Sequence, residues 1–243
     1  MAGVTVAGVT VAGVTVAGLS VIIPALNEAR HLPLLLADLQ QWPGALEIIV
    51  VDGGSTDKTI PVAHQGGAHL VQSPVQGRGQ QLQWGLQSAQ HSWLLVLHAD
   101  SRLSQHWVGH VQRVFTMAQG QQQAWAFDFR VDERRPMLRL LEWCVALRSR
   151  WGQMPYGDQG LLIHRSLYER IGGYRPLALM EDLDIIERLR RVSRIGCLGC
   201  ALTTSARRWN HRGVVHQAWR NAQLRRRWKN GVNAEDLIQT YRR

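Results

Sequence analysis

Asp100 closes an apolar run, LLVLHADS at residues 94–101, which reads as a fully buried strand delivering polar side chains at its C-terminal edge. Ligands bind along that edge in open α/β sheets. A carboxylate fixed there can hold a hard divalent cation that keeps several waters and bridges phosphates. A second strand, residues 46–51, also stops at an acid. In VVDGGSTDKT (50–59) Asp52 follows the strand, Gly53 and Gly54 permit a tight turn, and Ser55, Thr56 and Asp57 can cap a helix whose free N–H groups face the same rim. An ordinary capped turn would use the same residues. Arg78 is the one cation of a glycine-punctuated loop, GRGQQLQWG (77–85), and can grip a phosphate through two N–H groups. Asp158 lies in MPYGDQG (154–160), ahead of the strand LLIH. Glu181, Asp182 and Asp184 gather at a helix start in LMEDLDIIERLRR (179–191), with arginines at its end, a pattern the helix dipole alone would favour.

These residues need strands and helices in alternation to bring them together. Residues 20–24 form a short buried strand closed by Pro24, and Asn27-Glu28 lead into an amphipathic helix with Leu32, Leu35, Leu36 and Leu39 on one side. Trp42-Pro43-Gly44 then breaks the chain. Helices are expected at 105–118 and 137–151, the latter with Leu138, Leu141 and Val145 beside Arg139, Arg148 and Arg150, and a half-buried strand at 125–131. His106 and His110 are spaced i, i+4, but no third-ligand acid accompanies them, so they are not taken as metal ligands. Cys197, Cys200, His211 and His216 have near zinc-finger spacing. The interval lacks the finger's apolar pair and the cysteines lie in a strand-like run, IGCLGCALTT, so both are expected as buried free thiols.

The chain has 243 residues, 45% hydrophobic and 19% charged, enough for one large α/β domain or two small ones, and disorder as a whole is excluded. Its net charge of +10 is uneven: residues 1–129 hold 5 basic and 7 acidic residues, residues 130–243 hold 23 and 11. No interior run is long and apolar enough to cross a membrane. The uncharged N-terminus lacks a basic signal region, and three cysteines are too few for a disulfide framework, so a cytoplasmic chain is expected. Residues 2–16 are three copies of AGVTV running into a degenerate fourth. The odd period turns each copy to the opposite face of a strand, so residues 1–18 are expected as an arm outside the core, with an aggregation-prone edge strand as the alternative. From Arg207 the chain is strongly basic, with Trp209, Trp219, Trp228 and Tyr241 interleaved. That composition suits an anionic membrane surface or nucleic acid, and a solvated face is the commonest outcome.

In order, SVIIPALNEA, VVDGGSTDKT, LLVLHADS and LMEDLDIIERLRR resemble the family 2 glycosyltransferases of GT-A fold. The GRGQQLQWG and MPYGDQG loops and TTSARRW are similar to a bacterial subgroup associated with arsenosugar biosynthesis. The resemblance runs from about Leu19 to the C-terminus. It implies an α/β, GT-A (nucleotide-diphospho-sugar transferase) fold, with a single Rossmann-like, mostly parallel sheet flanked by helices, over residues 19–206, and a basic helical tail at 207–243. It also implies a nucleotide-sugar donor, Mg2+ or Mn2+, and inversion at the anomeric carbon. Asp52 would contact the base or ribose of the donor, helped by Pro24, Ala25, Asn27, Glu28 and Asp57. Arg78 would lie near the diphosphate, and Asp100 would bridge metal and diphosphate. Asp182 would be the general base for the acceptor hydroxyl, with Glu181 in the same motif and Asp158 orienting the acceptor or supporting the base.

Three departures from the family pattern matter. His98 replaces the first acid of the metal-binding Asp-x-Asp, so either the metal has one carboxylate fewer or His98 itself ligates. Gln80 stands where relatives often carry a second Arg. The tail is more basic and less apolar than usual, which makes any contact with an anionic membrane at its inner face electrostatic and salt-sensitive. Two other readings stay open: a nucleotidyltransferase of related fold, against which there is no Lys-bearing glycine loop after the first strand, and a non-catalytic basic protein binding membrane or nucleic acid through 207–243. Under the leading reading no nucleic acid is expected, and donor and acceptor identities stay open.

Overall fold

The computed structural model describes residues 9–11, 14–207, 209 and 213–242. Within the repeat, β1 (Val9–Val11) and β2 (Val14–Val16) pair antiparallel as a two-stranded sheet of their own. VTV reads the same in both directions, so the reversed strand sets Val9 opposite Val16 and Thr10 opposite Thr15. Residues 1–8, 12 and 13 of the repeat lie outside the described residues.

The main sheet is built from β3 (Leu19–Ala25), β4 (Leu46–Asp52), β5 (His69–Gln72), β6 (Trp93–Val96), β7 (Ser101–Leu103), β8 (Ala124–Val131), β9 (Leu161–His164) and β10 (Ile195–Thr204), in the order β5-β4-β3-β6-β9-β8-β10-β7. Strands β5, β4, β3 and β6 are parallel, as the alternation of strands and helices predicts. Strand β9 runs antiparallel to both β6 and β8, and β7 runs antiparallel to β10, so the sheet is mixed but mostly parallel.

Side chains alternate across the sheet and supply two cores. Val21 and Ile23 of β3 face one side, with Leu32, Leu35, Leu36 and Leu39 of α1 (Leu32–Leu39) and Trp107 and Val111 of α4 (Trp107–Thr116). Ile22 faces the other side with Ile49 and Val51, Leu82 and Leu86 of α3 (Arg78–Ser88), and Ile185, Ile186 and Leu189 of α7 (Glu181–Val192). Helix α3 lies so close that a Cβ on Gly85 would sit 2.6 Å from methyl groups of Ile22 and Val51. Between these, α2 (Thr59–Gln65) follows β4, α5 (Pro136–Arg150) packs Leu138 and Val145 against Phe129 and Val131 of β8, and α6 (Arg165–Arg170) follows β9. Helices α8 (Val214–Lys229) and α9 (Ala234–Arg242) are the expected tail; Leu224 and Leu237 are buried with Leu179, just ahead of α7.

Residues 94–101 are not one strand. β6 ends at Val96, Leu97 donates its N–H to the Ile22 carbonyl at 3.1 Å, and the chain turns with Ser101 N–H on the His98 carbonyl at 3.1 Å before starting β7. Three strands separate β6 from β7 in the sheet, about 19 Å if it were flat at ~4.8 Å per strand. Four residues joining them span too little for that, at most about 3.6 Å per residue, so the sheet curls and brings β7 round beside α1. Arg102 of β7 there forms a two-point ion pair with Asp38, at 2.7 and 3.0 Å.

The cysteine expectation is half corrected. Cys200 is buried, and burial pushes its thiol pKa up to about 12. Cys197 is exposed and donates to Asp128 at 3.2 Å. Gly199, at φ 76, marks the irregularity in β10 that separates them. His211 lies outside the described residues. His110 bonds the Leu198 carbonyl through Nδ1 at 2.8 Å, a structural role.

Candidate active site

The C-terminal ends of β3 and β4 lie in register, with Ala25 opposite Asp52. Asp52 is buried, and its carboxylate accepts the N–H groups of Gly54 at 2.9 Å and Ser55 at 3.0 Å, which shapes the turn that the two glycines predict. The loop after β3 is fastened to the loop after β4. Asn27 sits at φ 57, a left-handed conformation that Asn tolerates better than most residues, and its Oδ1 accepts from Thr56 N–H at 2.8 Å and Asp57 N–H at 3.3 Å. In return, Ser55 Oγ accepts from Asn27 N–H at 2.9 Å, Thr59 Oγ1 from Glu28 N–H at 2.8 Å, and Asp57 from Ala29 N–H at 3.1 Å. The Thr59 hydroxyl donating to Asp57, backed by backbone N–H groups, holds that carboxyl below its ordinary 3.8. Beneath this rim, buried Gln81 of α3 donates Nε2 to the carbonyls of Ala25 at 2.9 Å and Val51 at 2.7 Å, pinning both strand ends.

Asp100 is buried, two residues beyond His98. Arg207, from TTSARRW, reaches across to it: one guanidinium nitrogen is 2.9 Å from Glu28 Oε1 and 3.9 Å from Asp100 Oδ2. Across the strand ends, Arg78 at the start of α3 pairs through Nε with Glu181 and meets His98 Nε2 with Nη1 at 3.0 Å. A guanidinium only donates, so Nε2 of His98 is the acceptor and its ring proton belongs on Nδ1.

The three acids at the start of α7 have three separate situations. Glu181 is 1% exposed and faces Arg78; burial pushes its pKa up, and Arg78 opposes the shift. Asp184 is buried between Arg175, at 3.1 Å, and Arg188, at 2.6 Å. Asp182 alone looks into a cleft, accepting Gly157 N–H at 2.9 Å and Leu183 N–H at 2.8 Å. Gly157 is wedged here: a Cβ on it would lie 3.0 Å from His98 Nε2 and 3.2 Å from Asp182 Oδ2.

The cleft, about 180 Å³, is lined by Arg78, His98, Asp158 and Asp182 together with Arg148, Tyr156 and, from α8, Arg225. The Arg148 guanidinium lies 4.0 Å from the centre of the Tyr156 ring and that of Arg225 lies 5.3 Å from it. Burial lowers the pKa of Arg148, against the opposing charge of Asp158, and raises that of Tyr156. Gln159, buried beside them, accepts from Arg148 at 3.1 Å and Ser149 at 2.8 Å and donates to the Phe127 carbonyl at 3.0 Å, which fixes the floor of the MPYGDQG loop.

Comparison with known proteins was decisive at the level of family. The family described as Glycosyl transferase family 2 matches residues 20–160. The chain belongs to that family. This family 2 glycosyltransferase is 37% identical over 91 residues to a PGL/p-HBAD biosynthesis glycosyltransferase of Mycobacterium bovis (strain BCG / Pasteur 1173P2), covering 35% of this chain. It spans only 36% of the length of that relative. Its fold is similar to that of S. aureus TarS 1-349, with TM-score 0.60 and 16% identity over 77% of this chain and 60% of that one. It is also similar to glucosyl-3-phosphoglycerate synthase from Mycobacterium tuberculosis, with TM-score 0.57 and 22% identity over 77% and 72%. The expected GT-A fold is therefore the fold of this glycosyltransferase.

Within that frame, Arg78, His98, Asp158 and Asp182 share the cleft, while Pro24, Ala25, Asn27, Glu28, Asp52 and Asp57 build the neighbouring rim. Asp100 is joined to that rim through Arg207 and Glu28. Neither Gln81, Arg148, Tyr156, Gln159 nor Arg207 was assigned a site role from sequence. Each lies in or near a sequence motif, but their partners belong to other elements, in the extreme case Arg207 and Glu28, 179 residues apart.

Proposed function

We propose that this glycosyltransferase moves a sugar, with inversion, from a nucleotide-diphosphate donor held at the β3–β4 rim to an acceptor hydroxyl in the cleft. The observation that carries the reading is that Asp182 shares one cleft with Arg78 and His98, two residues from Asp100. In support, the glucosyl-3-phosphoglycerate synthase structure contains Mn2+ and UDP, and a mannosyltransferase from Pyrobaculum calidifontis was solved with GDP-Man and Mn2+.

Residues present fit a divalent cation that arrives with its diphosphate. Among the described residues no group of three His, Cys, Asp or Glu is placed to hold a metal by itself. Asp100 offers a buried carboxylate on the donor side, while that of Asp52 is taken up by its own turn, and Mg2+ sites commonly use one or two carboxylates with phosphates and water completing the shell. His98 Nε2 is committed to Arg78, so Asp100 is the ligand we assign, and His98 would ligate only after Arg78 moved away. Bound there, the cation would neutralise charge on the departing diphosphate. Arg78, held in place by Glu181, adds a fixed positive charge on the same side. Glu181 is accordingly a positioning residue.

Asp182 takes the acceptor proton. Its two oxygens each accept one backbone N–H and keep further lone pairs toward the cleft, within which a hydroxyl can approach. Asp158, which also lines the cleft, orients that acceptor. The transferase domain is residues 19–206, residues 1–18 lie outside it, and the tail closes the cleft with α8. A cytoplasmic location with the basic tail against an anionic inner membrane face belongs to the same reading; the free cysteines and the cations of α8, Arg220, Arg225, Arg226, Arg227 and Lys229, support it.

A thermal-shift screen of UDP-, GDP- and dTDP-sugars with and without Mn2+ tests the proposal. One donor is expected to stabilise the protein in a metal-dependent way, by about 2.7 kcal/mol at a hundredfold excess over Kd. Asp100→Ala should abolish the metal-dependent part; the same shift in that variant would remove Asp100 from the metal site.

A further inference from the structure

Helix α5 buries Leu138, Val145 and the ion-paired Glu142 on its inner face and leaves an apolar outer face exposed. Leu138 and Val145 pack inward on β8, and Leu141, Val145 and Arg148 border the cleft. Outward, Met137, Leu140 and Trp143 are 45%, 53% and 61% exposed, and Trp151, at the end of the helix, is 86% exposed. At about 100° per residue these four fall within an arc of about 120° in which no position is charged. Arg139 and Arg150 border it on one side. The adjoining helix α8, whose Val214 packs on the same cluster as α5, exposes Val215 and Trp219, at 65% and 58%, and carries basic residues without an acid. An apolar helix face is ordinarily covered.

We infer that the outer faces of α5 and α8 form a docking surface for an anionic phospholipid bilayer, lying in the interface plane with Trp143, Trp151 and Trp219 at headgroup depth. This goes beyond an electrostatic contact of the tail by assigning the apolar anchor to α5, and it stands independently of sugar transfer. Tryptophan beside arginine is the composition that suits a membrane-water interface. The charge selects the occupant. A second copy docking face to face would set the cations of α8 against themselves, which is repulsive, whereas an anionic bilayer complements them. Among the described residues no helix is long and apolar enough to cross a membrane, so the contact is one of lying on the surface.

Flotation of the full chain with phosphatidylcholine vesicles, with and without phosphatidylglycerol, tests this. The protein should float with phosphatidylglycerol vesicles and be released progressively by salt. The double variant Trp143→Ser, Trp151→Ser, unchanged in melting temperature and in donor-dependent thermal shift, should lose at least about tenfold in vesicle affinity. Three results overturn the proposal: no flotation of the parent chain, equal flotation of parent and variant, or a parent dimer that the variant disperses while neither floats. Absence of a donor response in the parent would remove the sugar-transfer reading and leave the flotation result standing.

Discussion

At the ends of β3 and β4 the residues assigned to the donor are fastened to each other. Asn27, Ser55, Asp57 and Thr59 exchange hydrogen bonds between two loops, and Asp52 holds its own turn. Around Asp182 the fastening is of another kind: guanidinium groups on a tyrosine ring, a buried Glu holding Arg78, and a wall from α8. The first region is made of hydrogen bonds from hydroxyl and backbone groups to Asn27, Asp52 and Asp57 in two adjacent loops, the second of an ion pair and cation-ring contacts that bring separate elements together. A rim built in the first way is set before any ligand arrives, while the second depends on distant segments and on protonation.

The largest expected effect lies in the cleft. Asp182→Asn preserves the side-chain shape, keeps one of the two N–H contacts and removes the base, so transfer should fall about 10²- to 10⁴-fold while the donor-dependent thermal shift is retained. Transfer within threefold of the parent would take the base role away from Asp182. On the rim, Asn27→Ala removes an acceptor shared by two N–H groups and puts a less tolerant residue at φ 57; a loss of about 1–3 kcal/mol in urea unfolding is expected, together with weaker donor binding. An unchanged donor affinity would mean that the stitched loops are structural only.

Acid separates the regions next. Glu181 folds with a pKa raised above 4.5, so its buried charge opposes folding above that value, and the opposition is relieved as pH falls through it. Asp57 folds with a pKa below 3.8; its support is complete above the unfolded value and is lost only as pH falls through the lower folded one. Protonation therefore weakens the Arg78 pair first and the rim last. Glu181→Gln should flatten the dependence of melting temperature on pH just above 4.5; an identical profile in the variant would show that Glu181 does not titrate there. Smallest of all, deletion of residues 2–16 should shift stability by no more than about 0.5 kcal/mol and leave soluble protein. Loss of solubility would make the repeat part of the fold.

The rim was legible in the sequence because its signals are local: a strand ending in Asp52, two glycines, and the three-residue run Ser55-Thr56-Asp57. The cleft was legible only in outline. Asp182 and Asp158 sit in recognisable motifs, yet nothing local distinguishes the exposures of Glu181, Asp182 and Asp184, which differ because Arg78, Gly157 and Arg188 approach from other elements. The strand expected at 94–101 divides into β6 and β7 because the curl of the sheet, which no window of sequence reports, carries Ser101 to the far edge. The tail reads as basic, but that one of its arginines enters the cleft is a matter of packing by Leu224 and Leu237.

The bridge from Arg207 to Glu28 and Asp100 fixes an order of events during synthesis. Strands β3, β4 and β6 are made first but belong to one sheet with β8, β9 and β10, and a domain folds as a unit. Their acidic edge lacks its covering cation until more than a hundred further residues have been made. Until then Glu28 has His31 as its neighbour, and arrival of Arg207 adds the one guanidinium that reaches both Glu28 and Asp100.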